Sequence, residues 1–456
     1  MKKILSILFL LVSVACTAQN HLQDSVNIRR MSNYILTNAH GHEDLRYLCK
    51  QIGHRLTGSP QAAKAVAWGK KTLEDAGCDN VFLQEVMVPH WVRGEEEAYY
   101  EVGGRKYGMK ITSLGNAVGT GDRGVKTSIV MVNDIDEFDR LPESAVRGKI
   151  VFFNYRFDQT NINTFHSYGP CVFYRWAAPS RAAGKGAVAV VIRSVSSAYD
   201  DEPHTGVLSY DKRYPKIPAI AVGNTTADKL EELVVNNKRP KIYIRTTCEM
   251  KRDVKSYNVV GEIYGTELPK EIICFGGHLD SWDVGEGAHD DGAGVVQSID
   301  AIRTFKKLGI RPKRTIRCVL WMNEENGARG ARAYMQQAKE KNEHHILAIE
   351  SDAGGATPYG FGLTMSTAKK DKVQAWKDLF YPYNIYNFSR KGGGVDINPL
   401  HKEFDTPTMG LLPDGHRYFD MHHSDNDVFE NVHRRELCMG TIAMAMMVYL
   451  VSQHGL

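Results

Sequence analysis

Five short segments carry residues that bind metal ions or move protons, and most follow an apolar run or lie in a glycine-rich turn. The run Glu271 to Phe275 leads into Gly276-Gly277-His278-Leu279-Asp280. In an extended chain His278 and Asp280 share a face, so Asp280 can support the imidazole from behind by accepting its N–H. Gly287-Ala288-His289-Asp290-Asp291-Gly292 opens a helix. An acid there either bridges two ions or caps the helix. The run Thr315 to Met322 enters Asn323-Glu324-Glu325-Asn326-Gly327. An apolar strand running directly into two acids needs a reason: one carboxylate can bind metal while the other faces a substrate. Ile346 to Glu350 runs similarly into Ser351-Asp352, and Tyr418-Phe419-Asp420-Met421-His422-His423-Ser424 supplies imidazoles near the end.

Each segment alone has a plainer reading. A His-x-Asp pair arises by chance, and a lone histidine among 17 is more often structural than a ligand. His289 is an additional ligand or a gate, and His422 a structural ring or a support for its neighbour. Together, in chain order, the segments supply His, Asp, Glu, Asp and His. A mixed nitrogen and oxygen donor set without thiolate suits zinc in a catalytic site. Two zinc ions sharing one carboxylate, with another carboxylate free to take a proton from water, would make a hydrolase.

Such ligands converge only if their strands end together, and open α/β sheets place sites at the C-terminal ends of parallel strands. Apolar runs at 271–275, 315–322, 346–351 and 408–412 alternate with helical stretches such as Gly294 to Leu308. They predict an α/β fold with a mostly parallel central sheet and helices on both faces. Earlier, Leu45, Leu48 and Ile52, then Ala62, Val66, Gly69 and Leu73, recur at helical spacing, and Val81 to Val88 reads as the first strand. Short β-rich runs at 128–132, 149–153, 187–192, 217–222 and 241–244 predict a compact insert without metal-binding clusters. The expected division is a leader at 1–18, catalytic domain at 19–117 and 249–456, and the insert at 118–248. Leu437 to Val451, interrupted by Gly440 and Thr441, reads as a core helix rather than a membrane span.

The chain has 456 residues, 43% hydrophobic and 24% charged, which is globular rather than disordered. Net charge is +4 without blocks of like charge, so neither nucleic acid nor an anionic membrane surface is suggested. Lys2 and Lys3, the apolar run Ile4 to Ala15 and the small residues to Ala18 read as a secretory signal peptide. Export follows, with a lipid-modified Cys16 as a second route; Ser13 stands where lipoproteins usually carry a large aliphatic residue. Cys49, Cys78, Cys171, Cys248, Cys274, Cys318 and Cys438 then remain, an odd set without a CxxC pair, so neither a disulfide framework nor a thiolate zinc site is indicated.

The motifs HLDSW at 278–282, GAHDDGAG at 287–294, NEENG at 323–327, ESDAG at 350–354 and YFDMHHSDND at 418–427 resemble the zinc-dependent aminopeptidase and glutamate carboxypeptidase family. IGHRLTGS at 52–59 and GGGVDINPL at 392–400 extend the resemblance over nearly all of the mature chain. It implies an exopeptidase acting on dipeptides or short peptides. His278 and Asp352 would hold one zinc, Glu325 and His423 the other, and Asp290 would bridge them. Glu324 would be the general base, Asp280 would orient His278, and Asp396 and His416 would approach the substrate. The insert resembles a protease-associated domain beside the active-site mouth, and a homodimer suits the family. The competing expectations are a receptor-like binding protein that has lost catalysis, and a single-zinc glutaminyl-cyclase-like acyltransferase.

Overall fold

The computed structural model describes residues 21–456. The expected leader at 1–18, with Cys16, lies outside the described residues.

Two sheets organise the chain. The first has seven strands in the order Asn80–Val92, Glu249–Ile263, Arg314–Trp321, Leu268–His278, His344–Glu350, Thr408–Pro413, Pro358–Thr364. The four strands from Arg314–Trp321 to Thr408–Pro413 are parallel to one another. Both flanks are antiparallel. The sheet is therefore mixed, which corrects the expectation of a mostly parallel one. Two strands lie outside the expected runs, Pro358–Thr364 and Glu249–Ile263. The first half of Glu249–Ile263 is a solvent-exposed ribbon on Asn80–Val92, so it shows no apolar run, and only its second half is buried.

The parallel strands are buried on both faces, as their unbroken apolar runs require. The helices Pro60–Ala76, Ala293–Lys307 and Arg434–His454 contribute to one large apolar core with this sheet. Arg434–His454 is long and apolar enough to cross a membrane, yet Leu437 and the stretch from Ile442 to Val451 are buried in the protein. Fully burying a Leu, Met or Val stabilises by about 1.5–3 kcal/mol, which accounts for the composition of this helix as core.

The second sheet has eight strands in the order Arg105–Gly108, Glu96–Val102, Lys241–Thr246, Val125–Val132, Ile150–Phe153, Ala189–Arg193, Ala219–Val222, Ile111–Ser113. Three of these lie before residue 118, so the sheet reaches N-terminally beyond the expected insert. Its centre is parallel, and separate apolar clusters form around it. The helix Phe165–Trp176 also belongs to this unit and faces the end of the first sheet. Among the described residues all seven cysteines are free thiols.

Candidate metal centre

The C-terminal ends of three adjacent parallel strands deliver His278, the Glu324–Glu325 pair and Asp352 to one place. His278 Nε2 lies 3.1 Å from Asp290 Oδ1 and 3.5 Å from Asp352 Oδ1. The other Asp290 oxygen, Oδ2, lies 3.1 Å from His423 Nε2, which is itself 3.1 Å from Glu325 Oε2. Asp290 thus stands between two groups, His278 with Asp352 and His423 with Glu325. His422 Nε2 is 3.5 Å from the same Asp290 oxygen, and its ring stacks on that of His423 with centroids 3.5 Å apart.

Asp291 explains how Asp290 is left free. Its carboxylate accepts the His278 N–H through Oδ2 and the Gly294 N–H through Oδ1, both at 3.0 Å. It therefore ties the helix start to the strand end, and the helix-capping role falls to it. A side chain at Gly277 would collide with this carboxylate, so glycine is needed there. Asp427 accepts the backbone N–H of His289 at 2.7 Å and of Asp290 at 3.1 Å. Buried Arg55 donates to the carbonyls of Leu279, Glu286 and Gly287 at 2.6–2.9 Å, fixing the loop between His278 and Asp290.

The electrostatics call for a cation. Among the described residues no lysine or arginine pairs with Asp290, Glu324, Glu325 or Asp352; only histidines reach these acids. Glu325 Oε1 is buried without a hydrogen-bond partner. Burial drives the Glu324 and Glu325 carboxyls well above the usual range, and neighbouring carboxylates add to it. Burial also works against charge on His278, yet Asp352 and Asp290 outweigh it and hold that ring well above the ordinary histidine value. Burial pushes Asp290 up too, but His278 and His423 hold it well below. Uncompensated buried carboxylates are costly, and divalent ions bound by the converging oxygen and imidazole donors would satisfy them.

The family model described as peptidase family M28 matches residues 258–448. Carboxypeptidase Q of Homo sapiens is 36% identical over 411 residues, spanning 90% of this chain and 85% of that relative. The chain belongs to peptidase family M28. A solved peptidase M28 precursor from Shewanella amazonensis matches with a TM-score of 0.91 at 28% identity, over 96% of this chain and 98% of that one. The zinc aminopeptidase of Bacillus subtilis, 16% identical, shares the fold with a TM-score of 0.65 over 91% and 95% of the two chains. The family resemblance read from the motifs at 278–282, 287–294, 323–327, 350–354 and 418–427 agrees with these matches.

In this M28 chain the remaining candidates separate. A cavity of about 730 Å³ is lined by Asp290, Glu324, Glu325, Asp352, His422 and His423, and by second-unit side chains including Phe165, Tyr168 and Arg175. His278 Nδ1 donates to the backbone carbonyl of Asp280 at 2.9 Å, while the Asp280 carboxylate lies 3.9 Å away and accepts the N–H groups of Asn323 and Glu324. His289 points away from the acids: one ring nitrogen receives the Gly355 N–H at 3.0 Å and the other meets the Asn431 carbonyl at 3.1 Å. Asp396 is fully buried and is not among the cavity-lining residues; its N–H donates to Glu350. His416 is exposed beside Asp414 and lines a separate pocket of about 440 Å³. Arg175 and Thr205 carry no local sequence signal of a site, whereas Arg55 and Asp427 lie within the quoted motifs at 52–59 and 418–427 without being singled out there.

Proposed function

We propose that the chain is an exported zinc exopeptidase that hydrolyses dipeptides or short peptides. The observation that carries this reading is the position of Asp290, one oxygen toward the His278 and Asp352 group and the other toward the His423 and Glu325 group. Zinc would be held by His278 and Asp352 at one position and by Glu325 and His423 at the other, with Asp290 shared. Zinc bound there supplies Lewis acidity toward the scissile carbonyl and acidifies water.

Glu324 is the carboxylate left over from this set, and it faces the cavity. It takes the proton from the attacking water and returns it to the leaving amine. Asp280 holds the Glu324 backbone at the strand end, which fixes where that carboxylate can point. The second sheet unit, read as the protease-associated domain, walls the cavity with Phe165, Tyr168 and Trp176. A pocket of about 730 Å³ closed on that side suits short peptides.

The experiment is a panel of dipeptides and amino-acid amides offered to zinc-loaded and chelated enzyme. Hydrolysis that disappears with chelation and returns with zinc supports the reading. Hydrolysis indifferent to chelation, or none of any dipeptide, refutes it.

A further inference from the structure

His423 is held by the second sheet unit as well as by its own domain. If its Nε2 is to bind an ion beside Asp290 and Glu325, the ring proton must sit on Nδ1 and needs an acceptor. The nearest acceptor is the backbone carbonyl of Thr205, 3.3 Å away. Thr205 answers through its own N–H, which donates to the His423 carbonyl at 2.9 Å. One residue earlier, His204 Nδ1 meets the His422 carbonyl at 2.6 Å. Ser196 and Ser197 reach Phe419 and Asp420 from the same loop.

Arg175 completes the clamp. Its guanidinium is buried, with Nη1 donating to the Thr205 carbonyl at 3.3 Å, the same oxygen that the His423 Nδ1–H faces, and Nη2 donating to the Tyr168 hydroxyl at 2.9 Å. A side chain at Gly206, whose φ is +138°, would overlap this guanidinium, so the backbone is shaped to admit it. Among the described residues no hydrogen bond from the second unit reaches His278 or Asp352. His278 takes its support from Asp280, Asp291 and its own strand.

We propose that Arg175 and the 204–205 segment are positioning elements for the His423 and Glu325 metal position alone, so that the second unit governs the occupancy of one ion and leaves the other unaffected. This rests on the two-metal reading above. Arg175 acts on the ligand through the Thr205 carbonyl rather than on the reacting atoms, and its effect is on metal affinity.

The test titrates metal-free enzyme with Co2+ and follows the visible absorption of each equivalent, with melting curves as a check on folding. In wild type two equivalents bind. In Arg175→Met the affinity for one equivalent falls about 10–100-fold, the range for loss of a ligand's supporting partner, while the other holds within about twofold and keeps its spectrum. Arg175→Lys restores part of the loss, and Asp352→Asn weakens the opposite equivalent. His204→Ala is measured in the same way, so an Arg175→Met chain that does not fold leaves a reading in hand. Two unchanged affinities in the variants, or equal weakening of both, overturn the inference while leaving the two-metal reading intact. A wild type that binds a single equivalent overturns both.

Discussion

Asp280 Oδ1 accepts the backbone N–H of Glu324 at 3.1 Å, and the neighbouring Asn323 N–H at 2.7 Å. One buried carboxylate thereby joins the end of the His278 strand to the turn that carries both glutamates. The same residue serves His278 through its main chain, since the imidazole Nδ1 meets the Asp280 carbonyl.

Asp280→Ala should act mainly on Glu324. It strands the buried Asn323 N–H, at a cost of about 1–3 kcal/mol, and the part-buried Glu324 N–H. Unfolding in urea should show lost stability, and kcat should fall more than KM because Glu324 is displaced while the substrate cavity remains. Asp280→Asn keeps one acceptor oxygen and should lie between wild type and alanine. A fall in KM-governed binding with kcat preserved would count against the positioning role.

Glu324→Gln preserves size and removes the proton acceptor. Turnover should drop about 10²–10⁴-fold, the usual contribution of a general acid–base group, with zinc content per chain unchanged by elemental analysis. Near-normal turnover would remove Glu324 from the chemistry.

Arg55→Met removes the side-chain donor from the carbonyls of Leu279, Glu286 and Gly287, of which Gly287 keeps the Gly292 N–H. The cost should reach a few kcal/mol, seen as a lower melting temperature, together with faster zinc loss to a chelator because the loop between His278 and Asp290 loosens. Unchanged zinc retention would show that the loop is held by other means.

His345 gives an acid-side prediction far from the metal centre. Burial, with the Arg317 guanidinium beside it, lowers its pKa from 6.5 to about 3. The folded protein therefore binds fewer protons here than the unfolded chain at intermediate pH. The stability it contributes is present above pH 6.5 and is lost as pH falls toward 3. His345→Gln, which can still meet the Tyr334 hydroxyl, should flatten the decline in unfolding free energy across that window. Parallel pH profiles for the two proteins would contradict the assignment.

What the sequence made legible were the parts with local signals. Apolar runs ending in His278, Glu324 and Asp352 marked strand ends, and the glycine-rich turn marked Asp290. Adjacent acids could not be told apart in the sequence, because capping by Asp291 and the turning of Asp290 into the cavity depend on Gly277 and the His278 N–H across the fold. Asp427 and Thr205 act through backbone groups more than 130 positions away; Asp427 falls within the motif at 418–427, but its role there is set by the distant His289 and Asp290 N–H groups, and Thr205 lies in no motif. Glu249–Ile263 escaped because its exposed half pairs as a polar ribbon. Asp396 and His416 sat in loops of the expected kind, yet burial removes the first from the cavity and exposure places the second in another pocket.

The most direct measurement is zinc per chain by elemental analysis after equilibration and removal of free metal, in wild type and in Asp290→Ala. A shared Asp290 predicts about two equivalents in wild type and loss from both positions in the variant. One equivalent in wild type, or full occupancy retained without Asp290, would contradict it.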